Sequence, residues 1–536
     1  MCHLNVHQWK ALCIPHGLIY TFLSIISICF LILTILFASL YHNSNRSSIV
    51  YAVEKGIIGF PVRLPNDGRY VQWTFLHLND VYELLPLHSG RKGGLARVAY
   101  IRKLLKQENS HTYTILAGDF LSPSALSTSK INGTTLNGRQ MIDTFNTLGL
   151  DFTTFGNHEF DLDEKDLLLR MNESKFSWIS TNIYRINSTQ LFGTSISHKI
   201  LIINKVRILI IGLTIDKNQG YVKIINQTYL ITHVQQYLQQ FSSQTYDILV
   251  AITHLDMSLD IKLAEKIPQI DLILGGHEHE DYYYLRGSKY TSIYKADANA
   301  FTVYILRCAY NIDTKKFRIY PTLTPVTPEV PEEEQTSKVA NYWFNLGIEG
   351  FRTSGFEPNE TVSCLPLGLE LDGRYESVKT SSTLLTDLIC QSMIKATESS
   401  RTTVALFNGG AIRIDDILRE TITQYDIIRT LPFKNIIIIL SVPGKLLARI
   451  LTTGTSMKRA GSILAYAGVE TLNNGETWLV NGMDISTSGL NYTVATIEYT
   501  KLRTELNHPD VTVLQKTNLT QAKILIDYLK IKYPPC

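Results

Sequence analysis

Thr154-Phe155-Gly156-Asn157-His158-Glu159-Phe160-Asp161 closes a short apolar run with four polar residues, three of them of metal-ligating type or one step from it. Such a group is costly to bury without partners, so the segment reads as the rim of a site at a strand end. Working outward, the same pattern recurs on both sides. Asp80 follows an apolar run in HLNDVY, Asp119 in ILAGDF, His254 in VAITHLD, and His277 and His279 in ILGGHEH. The runs predict strands at 71–78, 112–117, 152–155, 206–213, 247–252 and 271–274. Helical patterns at 95–106, 140–148, 231–241 and 259–266 separate them. Alternation of this kind implies layered α/β structure, and the carboxyl edge of such sheets is where sites assemble.

The ligand types fit that position. Carboxylate, amide oxygen and imidazole together suit first-row divalent metals without a thiolate. Gly118, Gly156, Gly275 and Gly276 precede the ligands and allow tight turns and close backbone approach. Each motif alone is weak, since a lone G-D or T-H is more often a turn or a satisfied core histidine. All five in this order leave little room for that bland reading.

The chain has 536 residues, too many for one ordinary domain at roughly 150 residues each. With 45% hydrophobic and 18% charged residues it has material for sizeable cores, which excludes a disordered or collagen-like chain. Fifty-one Lys+Arg against 48 Asp+Glu, without a clustered basic face, gives no footprint for nucleic acid. Seven cysteines are too few for a disulfide scaffold, although Cys364 and Cys390 could pair in an oxidising compartment.

Residues 18–41 (LIYTFLSIISICFLILTILFASLY) carry no charge. About 20 apolar residues span a bilayer, and a cleaved signal has a shorter core of roughly 7–15. We therefore expect a signal-anchor helix at 18–41, a cytoplasmic tail at 1–17 and a stalk at 42–69. Eight N-x-S/T sequons follow the span, at Asn45, Asn132, Asn172, Asn187, Asn226, Asn359, Asn491 and Asn518. They matter only on the lumenal side, so the expectation is a single-pass type II membrane protein with an extracellular or lumenal body. In that body, Pro321 to Pro331 reads as an extended linker, followed by a helix-like stretch and a second α/β region from 359 to 536. There, Val404 to Arg413 (VALFNGGAIR) ends a strand in a Gly-rich turn able to receive an anion.

The ordered set of motifs resembles the calcineurin-like metallophosphoesterases, and specifically the 5′-nucleotidase family, from about Trp73 to Tyr528. The resemblance implies a four-layer αββα metallophosphoesterase domain at 70–325, a linker at 326–358 and a C-terminal substrate-binding domain at 359–536. It implies two divalent metal ions, with Zn expected and Mn, Co or Mg as alternatives. Asp80 and His279 would serve one ion, Asp119 would bridge both, and Asn157, His254 and His277 would hold the other. His158 and Asp161 match the catalytic pair. Asn408, Gly410 and Arg413 match the substrate-binding turn, and Phe433 and Tyr499 the pair of base-stacking aromatics.

The chain also departs from the family. The first motif is commonly D-x-H but reads Asp80-Val81-Tyr82 here, the N-D-V-Y variant. Tyr82 is either a variant ligand favouring a harder ion or a packing residue against 83–85. Lys379 replaces a phosphate-facing Arg, exchanging a bidentate fork for a point charge, and the Gly-rich segment expected after Tyr499 is absent. The leading expectation is hydrolysis of nucleoside 5′-monophosphates to nucleoside and phosphate. Alternatives are the same chemistry on nucleoside di- or triphosphates, UDP-sugars or 2′,3′-cyclic nucleotides, or a nucleotide-binding surface protein with little turnover. Partners are then a nucleotide and the membrane, with a homodimer left open.

Overall fold

The computed structural model describes residues 56–65, 67–216, 220–242, 245–457 and 463–536. The expected tail and span at 1–41, and Asn45, lie outside the described residues. No helix among the described residues is long and apolar enough to cross a membrane. All that follows concerns the compact unit Pro61–Cys536.

Two six-stranded sheets face each other. In spatial order, the first is Lys316–Pro325, Thr302–Asn311, Tyr70–Leu78, Thr112–Leu116, Phe152–Thr153 and Ser177–Trp178. The second is Tyr282–Arg286, Thr291–Lys295, Leu272–Gly276, Ile248–His254, Val206–Thr214 and His198–Ile203. The central strands of the second sheet, Leu272–Gly276, Ile248–His254 and Val206–Thr214, are near-continuous apolar runs because both of their faces are covered. The pleat divides each run between two cores. Ile208, Ile210, Val250, Ile252, Leu272 and Leu274 pack against Val71, Trp73, Phe75 and Ile115 of the opposite sheet. Leu209, Ile211, Leu249, Ala251 and Ile273 instead meet Leu230, Val234, Leu259 and Leu263 of the helices Gln227–Leu238 and Met257–Lys266. Helices Leu95–Glu108, Arg139–Leu148 and Glu334–Thr353 form the layer beside the first sheet.

The expected strands and helices are present, with ends shifted by one to four residues. The proline-rich stretch is a correction. Pro321 and Pro325 lie in the strand Lys316–Pro325, which pairs with Thr302–Asn311 and has no neighbour on its other side among the described residues. An edge strand tolerates a residue that lacks an N–H. The helix that follows, Glu334–Thr353, is packed rather than free. Trp343 Nε1 donates to Asp143 (2.9 Å), and Ser129 Oγ donates to the Gly347 carbonyl (2.7 Å).

The C-terminal region has a five-stranded sheet in the order Leu464–Ala467, Val404–Asn408, Asn491–Ile497, Ile436–Pro443 and Thr512–Thr520. Helices Leu384–Ala396 and Gln521–Lys532 bury one face of it. A Cys364–Cys390 pair is not formed. Cys390 lies on the inward face of Leu384–Ala396 with no exposed surface, while Cys364 bonds Cys536 with Cα atoms 5.6 Å apart.

Candidate metal centre

Strands Tyr70–Leu78, Thr112–Leu116 and Phe152–Thr153 run parallel in one sheet, as do Val206–Thr214, Ile248–His254 and Leu272–Gly276 in the other. Their carboxyl ends meet at one edge, so loops distant in sequence converge. The loops approach closely because two glycines allow it. A Cβ on Gly118 (φ +77°) would sit 2.4 Å from the Gly156 nitrogen, and one on Gly156 would sit 2.0 Å from Asp119 Oδ1. Asp80, Asp119 and His277 hold positive φ values of 53°, 55° and 85°. Strain of this kind persists only where the surroundings over-determine it, and it clusters at functional sites.

Backbone and amide donors consume one oxygen of each carboxylate and aim the other. Asp80 Oδ2 accepts from the His277 N–H and from Asn79 Nδ2, both at 2.9 Å. Asp119 Oδ1 accepts from the His158 N–H at 2.7 Å. The remaining oxygens meet the imidazoles: His254 Nε2 is 3.1 Å from Asp119 Oδ2 and 3.9 Å from Asp80 Oδ1, and His279 Nε2 is 3.6 Å from Asp80 Oδ1. Asp80, Asp119 and His254 place ligand atoms within 4.8 Å of one another. His277 Nδ1 faces His254 Nε2 at 3.3 Å.

The other nitrogen of each ring already has an acceptor. His254 Nδ1 donates to the Ala117 carbonyl (2.7 Å), and His277 Nε2 lies 3.2 Å from Asp256 Oδ1. Such partners fix the tautomer and leave the facing nitrogens as lone pairs. Two lone pairs at 3.3 Å call for a proton or a cation between them. Asn157 Oδ1 is buried without a hydrogen-bond partner among the described residues. Facing imidazoles and aimed carboxylates, with an orphaned amide oxygen on the residue before His158, are donor types that fit divalent cations.

Electrostatics agree. Burial raises the Asp80 carboxyl above its ordinary value, against the pull of His254 and His279. Burial would raise Asp119 as well, but His254 and His158 outweigh it and hold Asp119 well below the carboxylate range. Burial would lower His254, but Asp119 and Asp80 lift it to about 9.

Tyr82 enters the cluster rather than the 83–85 loop. Its hydroxyl is 3.4 Å from each of Asp80 Oδ1, Asp119 Oδ2 and His279 Nε2. Burial, with Asp119 and Asp80, pushes the phenol well above its usual value, so it is a neutral donor here. Replacing Tyr82 by His should therefore move the activating ion towards Zn²⁺, the better match for imidazole. Metal titration of activity in wild type and Tyr82→His checks this, and superimposable profiles would count against it.

His158 stands at the mouth, with Nδ1 2.6 Å from Asp161 Oδ2, which also accepts from Ser122 Oγ at 3.1 Å. Burial and the Arg413 charge lower its pKa, opposed by Asp161 and Asp119. Arg413, from the C-terminal region, has its guanidinium 5.4 Å from the Phe433 ring and a buried Nε lacking a hydrogen-bond partner among the described residues. Lys379 Nζ lies 3.2 Å from the Tyr375 ring centroid, and that ring lies 4.4 Å from His279. Asn408 Oδ1 accepts from Thr500 Oγ1 (2.7 Å), and Gly410 lies in the turn Gly409–Ala411. Phe433 and Tyr499 have separate partners: Tyr499 is 48% exposed, with Arg503 5.6 Å from its ring.

Sequence reasoning missed Glu159, Tyr375 and Asp415. Glu159, fully buried, accepts from the N–H groups of Asp119, Phe120, Leu121 and Gly156 at 2.6–3.2 Å, joining two ligand loops. Burial and Asp119 raise it to about 7. Its place inside GNHEFD was the available signal. Asp415 and Tyr375 carried none, because only the fold brings them to His279.

Comparison with known proteins agrees with this geometry. Residues 74–281 match the calcineurin-like phosphoesterase family, and residues 366–502 match the 5′-nucleotidase C-terminal domain, together more than half of the chain. The chain is 26% identical over 459 residues to the trifunctional nucleotide phosphoesterase protein YfkN of Bacillus subtilis, covering 76% of this chain and 30% of that protein. It is 24% identical over 421 residues to the 5′-nucleotidase of Homo sapiens, covering 70% of each. The crystal structure of a 5′-nucleotidase precursor from Thermus thermophilus superimposes with a TM-score of 0.72 at 20% identity, over 86% of this chain and 97% of that one, which shows a shared fold. With both domains matched and the ligand loops converging as such an enzyme requires, the chain belongs to the 5′-nucleotidase family of metal-dependent phosphoesterases.

Proposed function

We propose that this protein is a membrane-anchored nucleotidase that hydrolyses nucleoside 5′-monophosphates to nucleoside and phosphate in the extracellular or lumenal space. The observation that carries the reading is one edge where Asp80, Asp119, His254, His277 and His279 meet, with the buried Asn157 next to the His158–Asp161 pair and the Arg413 charge felt at His158. Two divalent ions, held as the motifs imply, would supply Lewis-acid charge for the phosphoryl group and raise the acidity of attacking water. Arg413 offers a fork for phosphoryl oxygens. Asp161 keeps the His158 Nδ1–H, which leaves Nε2 to exchange a proton with the substrate. An arriving anionic phosphate opposes the burial penalty and favours the charged ring, where stabilisation of developing charge is greatest.

His158→Asn should lower kcat by about 10²–10⁴-fold while retaining metal. Metal analysis beside turnover checks it, and loss of the metal would make His158 a ligand instead. A second reading, activity on di- or triphosphates, UDP-sugars or cyclic nucleotides, is favoured by Lys379 standing on Tyr375 where the family has Arg. The relative YfkN is named a trifunctional nucleotide phosphoesterase, a breadth of substrate consistent with this reading. A phosphate-release panel on all these substrates with Zn²⁺, Mn²⁺, Co²⁺ and Mg²⁺ decides between the two readings, and preference for anything other than monophosphates overturns the first.

Support for the anchored topology is the apolar segment at 18–41 together with the sequons. The seven sequon asparagines within the described residues are all exposed. Glycosidase should shift the apparent mass, and protease applied to intact cells should remove the body. An unshifted, protected protein would refute the topology.

A further inference from the structure

We infer that Asp415 is a positioning residue of the metal centre: its carboxylate, delivered from the C-terminal domain, holds the His279 imidazole with Nε2 turned into the ligand cluster. This rests on the reading of His279 as a ligand in a metal-dependent nucleotidase. Asp415 Oδ2 lies 2.9 Å from His279 Nδ1, and Nε2 of the same ring lies 3.6 Å from Asp80 Oδ1 and 3.4 Å from the Tyr82 hydroxyl.

The three imidazoles of the cluster differ in where their second nitrogen is satisfied. His254 uses the Ala117 carbonyl and His277 uses Asp256, both within the metallophosphoesterase domain. His279 takes its partner from the other domain. That partner is itself oriented, because Asp415 Oδ1 accepts from the Tyr375 N–H at 2.7 Å and the Tyr375 ring packs 4.4 Å from the His279 ring. Asp415 sits at φ +47°, in the left-handed region that a short polar residue tolerates and that marks constrained sites.

Neighbouring contacts hold the Asp415 loop in register with the first ligand loop. Asp416 Oδ1 is 3.1 Å from His88 Nε2, and Arg429 Nε donates to Glu83 Oε1 at 3.0 Å, three residues beyond Asp80. A carboxylate on the far nitrogen of a ligating histidine fixes its tautomer and raises its basicity, and removing such a partner typically weakens metal binding about 10–100-fold. The metal centre of one domain is therefore complete only with the loop of the other in place.

The full chain, stripped of metal and titrated calorimetrically with Mn²⁺ alone, tests this. Asp415→Ala should weaken one of two binding events by about 10–100-fold and leave the other unchanged, and His279→Ala should abolish the same event. In phosphate release, kcat should fall while KM for the nucleotide holds. Should the alanine variant fail to fold, the isosteric Asp415→Asn, whose amide oxygen still accepts the Nδ1–H, should weaken that event by a smaller factor. Wild-type Mn²⁺ affinity in Asp415→Asn and Asp415→Ala overturns the inference. So does equal weakening of both events with a lowered unfolding temperature, which would assign Asp415 to domain packing. The titration uses no nucleotide, so its outcome is independent of which substrate the enzyme prefers.

Discussion

Asp119→Asn and His254→Ala should each lower hydrolysis by about 10³–10⁴-fold or more and strip metal from the protein. A Lewis-acid site supplies several kcal/mol of transition-state stabilisation, and each tenfold in rate is about 1.4 kcal/mol. Asp119 is the carboxylate nearest His254, and with Asp80 it is what lifts that imidazole to about 9 despite burial. The folded-state value lies above the ordinary 6.5. In the metal-free protein the interaction therefore stabilises fully below pH 6.5 and is lost as pH rises through about 9. A cation must displace that proton, so metal loading should release a proton at neutral pH, and apparent affinity should climb until about pH 9. Calorimetry in two buffers of different ionisation enthalpy reads the proton directly. In Asp119→Asn the released proton should disappear with the charge that held it. Full metal content and normal turnover in either variant would sink the assignment.

The second large effect falls on Glu159, a residue that need not touch substrate. Its two oxygens serve four buried N–H groups, those of Asp119, Phe120, Leu121 and Gly156. Glu159→Ala orphans all four at about 1–3 kcal/mol each, which is comparable with the whole stability of an ordinary domain at about 5–15 kcal/mol. The expected result is a fall in unfolding temperature of well over ten degrees, or failure to fold, with activity lost in either case. Glu159→Gln should be intermediate, because one oxygen still accepts while the amide nitrogen confronts two donors. Thermal unfolding of the metal-free variants decides it, and an unfolding temperature within two degrees of wild type for Glu159→Ala would show that the loops are held by other means.

The primary structure by itself determined the layered α/β class, the strand and helix order, and the residues proposed here as ligands, because each is written locally. Near-continuous apolar runs such as VRILIIGLT mark strands buried on both faces, and G-N-H-E-F-D or G-G-H-E-H places costly polar groups where only a site repays their burial. Other features depended on which surfaces packing brings together. Pro321 and Pro325 are compatible with either an extended linker or an edge strand, and only pairing with Thr302–Asn311 selects the strand. By sequence, Cys390 was the candidate partner of Cys364. Burial of Cys390 in the C-terminal core and the return of the chain end to Cys364 settle the pair. Tyr82 could pack or point inward, and the converging loops put its hydroxyl 3.4 Å from three ligand atoms. Asp415 lies 136 residues from His279, and no local pattern relates the two. Their contact exists because the C-terminal domain seats its loop on the metal edge, and non-local contacts of that kind are decided by tertiary packing alone.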